Sequence, residues 1–307
     1  MDSHAGRFRF PVRLAGCIAS RILNDAADGR VAAVFRSSFY VETDAGFICI
    51  GNETLEPSPL NLITMAPAGT DWSASGLRRD AKISLSEKAI GVGNRFSFPW
   101  CDATNWSPQP VSKSWKPSDL ECGLKVFRQL AMDYLPDEGL GRFLIPGVHP
   151  AVDEAVFRAA QTPVAEAHRW LAAAMRNPEK AAQDLDWVHP LIGLGPGLTP
   201  SGDDFIGGVM IALHGLDETG ICVKLWALAR RCAEIAGNPI SYAHLSAASQ
   251  GQGNAAVHRA LAAIMEGRSE VIQNTLTGID NIGHTSGWDA IAGVVTTFDA
   301  WHHAHRH

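Results

Sequence analysis

The stretch PWCDATNWSPQPVSKSWKP, residues 99–117, separates two parts of the sequence that follow different periodicities. It carries Pro99, Pro108, Pro110 and Pro117 among Trp100, Trp106 and Trp115. That composition suits a linker or a packed surface loop rather than a regular element. On its N-terminal side the apolar residues fall in short runs rich in β-branched and aromatic side chains: Arg30–Arg36, Phe39–Glu42, Phe47–Ile50 and Asn61–Ala66. Asp28-Gly29 and Ala45-Gly46 punctuate them as turn signals. Residues 81–98 continue the pattern with Ile83, Leu85, Ile90, Val92 and Phe96, and Gly91 and Gly93 predict a bulge or a close backbone approach. No helix-length segment separates these runs, so antiparallel strands are expected.

On the C-terminal side apolar residues recur at spacings of three and four. Ser118–Tyr134 opens with Ser118 as an expected N-cap and Glu121 at capping-box spacing. Helices are expected over Ala151–Ala160, Pro163–Arg176, Pro178–Trp187, Asp203–Leu216, Cys222–Ala236, Ser241–Ser249, Asn254–Glu266, Glu270–Thr275 and Trp288–His302. The sequence therefore predicts an α+β fold: a β-rich N-terminal domain over residues 1–115, followed by an α-helical domain over 116–307 that carries a Gly-rich loop.

Composition narrows the function classes. Of the 307 residues, 46% are hydrophobic and 19% charged, which is enough to build a core and too little charge for a disordered chain. The formal net charge of −6 gives no general attraction to nucleic acid. No run reaches the roughly eighteen apolar residues of a membrane span. The first residues, Met1 to Pro11, carry Arg7 and Arg9 with no apolar stretch behind them, so no secretory leader is read and a cytoplasmic protein is expected. The six cysteines are scattered without a C-x-x-C pair, which reads as reduced thiols rather than a disulfide framework or zinc cage.

The segment richest in chemistry is GLGPGLTPSGDDFIGG, residues 193–208. Alternate glycines followed by Thr199, Pro200 and Ser201 interrupt any helix and give a loop with unusual backbone freedom. Ser201 then reads as the N-cap of a helix with Asp204 as its acidic third residue, and such a loop leads ligands toward free N–H groups at a helix start. The string HTSGWDAIAG, residues 284–293, echoes it: Ser201, Gly202, Asp204, Ile206 and Gly208 align with Ser286, Gly287, Asp289, Ile291 and Gly293. Two helices thus begin alike, each with a glycine one turn past its aspartate where another helix can approach. Converging helix starts, each favouring an anion by roughly 0.3–1 kcal/mol, together with hydroxyls from Thr199, Ser201, Thr285 and Ser286, would orient a small carboxylate or phosphate. Ser-Gly-x-Asp also opens helices that carry no site. Asp203 is not explained by the cap, and a second carboxylate there holds a metal, receives a proton, or binds an amide or ammonium donor.

Asn238-Pro-Ile-Ser-Tyr-Ala-His244 places Ser241 and His244 on one helix face at i, i+3. His244 and His284 are the histidines suited to acid–base work, although a histidine in a helical domain is more often structural. Arg78-Arg79 and Arg230-Arg231 read as solvated surface. His302, His303, His305 and His307 read as a frayed tail. There is no Walker lysine, the Gly-rich loop follows no predicted strand, and no H-x-x-x-H pair or carboxylate triad marks a metal site, so a cofactor is not expected and metal dependence stays open.

Gly197-Leu-Thr-Pro-Ser-Gly-Asp-Asp204, together with the later Gly283-His-Thr-Ser-Gly287, resembles the AllH-like family, whose namesake is a subunit of bacterial oxamate carbamoyltransferase in allantoin breakdown. The resemblance extends over roughly residues 10–300, with its specific motifs in 193–293. It implies transfer of a carbamoyl group from carbamoyl phosphate to oxamate, giving phosphate and oxalurate, and sister subunits beside this one, with a homo-oligomer also open. Under this resemblance Asp203, Asp204 and His284 are the expected catalytic residues. Gly195, Gly197, Thr199, Ser201, Gly202, Asn238, Ser241, His244, Thr285, Ser286 and Gly287 are the expected substrate-binding residues. A non-catalytic metabolite-binding assembly subunit and a stand-alone amide hydrolase are the alternatives.

Overall fold

Short β-rich runs close their hydrogen bonds only by pairing with one another, and the first third of the chain does this in a single ten-stranded sheet. The computed structural model describes residues 8–148 and 154–305, and the chain divides into two units, Met1–Pro108 and Gln109–His307. In the first unit the strands are β1 (Phe8–Arg9), β2 (Val12–Gly16), β3 (Asp28–Val34), β4 (Ser38–Thr43), β5 (Gly46–Gly51), β6 (Asn61–Thr64), β7 (Lys82–Leu85), β8 (Ala89–Val92), β9 (Phe96–Pro99) and β10 (Thr104–Trp106). Their order is β1-β9-β8-β7-β3-β4-β5-β6-β2-β10.

The sheet is mixed, which corrects the expectation of antiparallel strands alone. β1 with β9, β2 with β10 and β5 with β6 pair in parallel. The β5–β6 crossover needs no helix, because residues 52–60 form a turn anchored by Asn52, whose Nδ2 donates to Ala68 O at 3.1 Å, and by Asn61, whose Nδ2 donates to Glu56 O at 2.8 Å. The two ends of the strand order are joined by the chain itself. Only Phe10 and Pro11 separate β1 from β2; Phe10 N donates to Ser97 O at 2.9 Å and Met65 N to Pro11 O at 2.8 Å. One extended run, Phe8 to Gly16, therefore pairs with β9 through its first half and with β6 through its second, and the sheet curls back on itself. Proline is tolerated there because it only accepts. Inside lie Phe39, Trp72 and Phe98, fully buried, with Trp72 edge-on to Phe39 at 5.4 Å and to Phe10 at 5.5 Å.

The first unit also holds a helix that sequence reading does not assign, α1 (Cys17–Asp25). It starts straight out of β2, and its first amides, Ile18 N and Ala19 N, donate to Pro59 O at 3.0 and 2.8 Å. A nine-residue helix of this kind is held by its docking rather than by its own propensity.

The second unit is helical: α2 (Pro117–Ala131), α3 (Ala155–Arg176), α4 (Val188–Leu191), α5 (Ser201–Gly215), α6 (Thr219–Ala236), α7 (Pro239–Ala248), α8 (Ala255–Met265), α9 (Ser269–Asp280) and α10 (Ser286–His305). The start of α2 corrects the expected Ser118 cap. Pro117, with its φ preset, takes the first helical position, and Asp119 rather than Glu121 reaches back to accept from Lys116 N at 3.0 Å. The two helices expected over 151–160 and 163–176 are one, and Pro163 lies inside it. Ala151 to Asp153, with which the first of these was expected to open, lie outside the described residues, as does His307 of the terminal run. In place of a helix over 178–187 there is a 3₁₀ turn, Pro178–Ala182, and then α4. α5 and α10 are apolar round most of their circumference, which makes them the core of this unit. Phe205, Val209 and Met210 of α5 and Ile291, Val294 and Phe298 of α10 are fully buried.

Candidate functional site

After α4 the backbone of Gly193, Gly195 and Gly197 lies in the left-handed region, with φ of 78°, 111° and 98°. Side-chained residues rarely hold that conformation, so only glycine lets the loop fold this tightly. It turns back on the head of α5, where a Cβ on Gly195 would sit 2.9 Å from Ser201 N. Asp203 holds the loop. Its Oδ1 accepts from Gly193 N at 2.7 Å, and Ser241 Oγ donates to its Oδ2. Asn238, the N-cap of α7, accepts from Ser241 N at 3.1 Å and donates through Nδ2 to Leu198 O at 2.8 Å. Asp203 is buried, and burial raises its pKa against the pull of Ser241 and Gly193. The carboxylate unexplained by sequence is thus a clasp joining loop, α5 and α7.

The expected role of Ser201 as N-cap is corrected. Pro200 occupies the cap position, with no side-chain cap, and Ser201 is the first helical residue. Several of the helix-start amides are also already bonded within the chain. Gly202 N donates to Leu194 O at 2.9 Å, Asp203 N and Asp204 N both donate to Pro200 O, and Gly287 N donates to Ile282 O at 3.1 Å. A tight loop before each helix supplies the carbonyls that satisfy these orphan donors.

What the two starts do instead is serve each other. α5 and α10 cross with Gly208 against Ala290 O and Gly293 against Phe205 O; a Cβ at either glycine would lie 1.8 or 2.0 Å from the facing oxygen. These positions correspond in the aligned strings, so the crossing is a local two-fold. Around it the Ser286 hydroxyl of α10 acts to lower the pKa of Asp204 in α5, while the Ser201 hydroxyl of α5 does the same to Asp289 in α10. Each aspartate also has a threonine: Thr199 on Asp204, and Thr285, whose Oγ1 donates to Asp289 Oδ2 at 2.8 Å. Thr199 Oγ1 and Ser286 Oγ are 3.0 Å apart.

The symmetry is not complete. Asp289 is wholly buried and also accepts from Leu140 N through Oδ1 at 2.6 Å. Burial raises its pKa to about 6 despite these donors. Asp204 keeps some exposure, but its Oδ2 is fully enclosed and has no hydrogen-bond partner. Burial first, and then the charge of Asp289, hold Asp204 well above the usual carboxylate range, against the Ser286 and Thr199 hydroxyls. Thr199, Asp204, Thr285 and Ser286 are partly open, whereas Ser201 and Asp289 lie behind them. The arrangement offers a row of hydroxyls in front of two coupled carboxyl groups, which is equipment for hydrogen bonding and proton exchange.

Of the residues expected from sequence, Thr199, Ser201, Asp204, Thr285 and Ser286 meet here. Gly195, Gly197 and Gly202 shape the loop, Gly287 the opposite start, and Asp203, Asn238 and Ser241 the clasp. His244, one turn past Ser241, is partly buried and its pKa is pushed down to about 4 by burial. His284 is exposed and turned to Glu138, with Nε2 2.9 Å from Oε2. Sequence reading passes over Asp289 and the Leu140 amide. The echo aligned Asp289 with Asp204, which was the available signal for it; a backbone donor from residue 140 leaves none. Among the described residues no group of three or more His, Cys, Asp or Glu is arranged to hold a metal ion, and no helix is long and apolar enough to cross a membrane.

No curated protein and no solved structure matches the chain. Residues 191–298, from the end of α4 into α10 and including both crossing helix starts, match the family model described as oxamate carbamoyltransferase subunit AllH.

Proposed function

We propose that this chain is a carbamoyltransferase subunit acting on oxamate and carbamoyl phosphate, or on a related small ureido or amide anion, in the cytoplasm beside sister subunits. The description of the matched family supports the reaction class and the presence of other subunits. The observation that carries the reading is that the matched span contains both halves of the crossed serine–aspartate centre.

In the reaction the amide nitrogen of oxamate bonds to the carbamoyl carbon, the carbon–oxygen bond to phosphate breaks, and one proton leaves the nitrogen and ends on phosphate. The partly open hydroxyls of Thr199, Thr285 and Ser286 bind the anionic ends of the substrates. Asp204 accepts a hydrogen bond from the amide nitrogen. His284, at the exposed rim, donates to the carbonyl oxygen or shuttles the proton. Asp203, Asn238 and Ser241 fix the 193–202 loop, and through it the place of Thr199.

A second reading, a non-catalytic subunit that binds a metabolite and assembles the complex, draws on the helix-start amides, several of which are satisfied within the chain. Phosphate and oxalurate formation, measured with the purified chain alone and with sister subunits, separates the two. Asp204→Ala and Thr199→Val in the full complex are expected to lower turnover by about 10²-fold or more. Full turnover in both variants places the chemistry on another subunit and leaves the assembly reading.

A further inference from the structure

Two carboxyl groups lie together at the α5–α10 crossing, and among the described residues no positive charge acts on them. Among the described residues the charged groups that act on Asp204 are Asp289 and Asp203, and the one that acts on Asp289 is Glu154 at the head of α3, all acidic. Cations on neighbouring elements have other partners. Arg128 of α2 pairs with Asp299, and Arg142 with Asp137. His244 of α7 is neutral, held there by burial. Two bare charges in such a place repel each other and lose hydration together.

We infer that Asp204 and Asp289 hold one proton between them, that it rests on Asp204, and that Asp289 is the positioning residue that keeps it there. The geometry assigns the proton. Asp289 accepts from the Leu140 amide on Oδ1 and from Thr285 on Oδ2, and the Ser201 hydroxyl across the crossing also favours its ionised form. Such donors stabilise an ionised carboxylate. Asp204 has two hydroxyls and an enclosed Oδ2 with no partner. An ionised oxygen sealed without a donor is costly, whereas a neutral carboxyl there costs far less. Burial raises the pKa of both groups, in keeping with this division.

A neutral Asp204 does not repel an anion, and with Oδ2 enclosed its other oxygen is left to meet an amide. That explains how hydroxyls backed by acids receive a negatively charged amide. The proton count stands without the carbamoyltransferase reading; its use toward a substrate amide rests on that reading.

The test is a pH titration of the full chain labelled with ¹³C at the aspartate carboxyl carbons, followed by NMR without substrate. One aspartate, assigned by its loss in Asp204→Asn, is expected to stay neutral at pH 7. Asp289→Asn is expected to move that transition down by about one pH unit or more. Should either variant fail to fold, Ser286→Ala, which removes one hydroxyl from Asp204, is expected to move the same resonance's transition upward. Every aspartate ionised at neutral pH, or an Asp204 transition unmoved by loss of Asp289 or of the Ser286 hydroxyl, overturns the inference. The failure of the carbamoyl-transfer assay alone leaves the titration as it stands.

Discussion

Gly208 of α5 rests directly on the carbonyl oxygen of Ala290 in α10, so closely that a Cβ would lie 1.8 Å from it. Gly293 makes the reciprocal contact with Phe205 O, and this pair of approaches brings Ser201 within reach of Asp289 and Ser286 within reach of Asp204. The facing atoms are backbone, which cannot rotate away.

Gly208→Ala and Gly293→Ala are therefore expected to separate the helices and destabilise the helical unit by about 1–3 kcal/mol or more. Chemical denaturation followed by circular dichroism measures this. A denaturation midpoint equal to the parent's in both variants would show that the crossing is not the tight contact described.

Asp203→Asn leaves an amide where two donors point. The Gly193 N–H or the Ser241 hydroxyl loses its acceptor, a cost of about 1–3 kcal/mol for a buried group. Hydrogen exchange of residues 193–200 is expected to quicken, and Ser241→Ala is expected to produce a milder form of the same change. Unaltered exchange in both would remove Asp203 as the clasp of the loop.

Stability should depend on pH through the buried pair. Asp289 is raised from the ordinary 3.8 to about 6 in the folded chain, and Asp204 is raised as well. The folded state thus binds more protons than the unfolded one. The stabilisation is full below the ordinary value and is lost as pH rises through the folded value. Unfolding free energy should fall between about pH 4 and about pH 6, and Asp289→Asn should flatten the slope. Parallel profiles for parent and variant, from denaturant titrations across that window, would contradict the assignment.

Trp72 fills the curled sheet of the N-terminal unit and touches Phe10, Phe39, Phe96 and Phe98. Trp72→Ala should cost about 3–5 kcal/mol and unfold that unit at lower denaturant. A tryptophan-fluorescence transition at the parent's midpoint would place the core elsewhere.

Much of this architecture was legible before any coordinates. The change of period across residues 99–117 separates strands from helices because side-chain direction repeats every two residues in one and every 3.6 in the other. The echo of Ser-Gly-x-Asp also announced two like helix starts with glycines where helices meet. Such features are local, written within one or two turns of chain. The parallel pairings and the run from Phe8 to Gly16 that joins both ends of the sheet were not legible, because pairing depends on which distant strand arrives alongside. For the same reason the serines were misjudged. A cap is a bond between near neighbours and can be guessed from spacing, but Ser201 and Ser286 act on aspartates across the crossing, and only the approach of α5 to α10 decides that. Sequence thus determined the elements and the residue types at their heads; tertiary structure decided which hydroxyl met which carboxylate, since burial and charge coupling arise only where separate segments exclude water together.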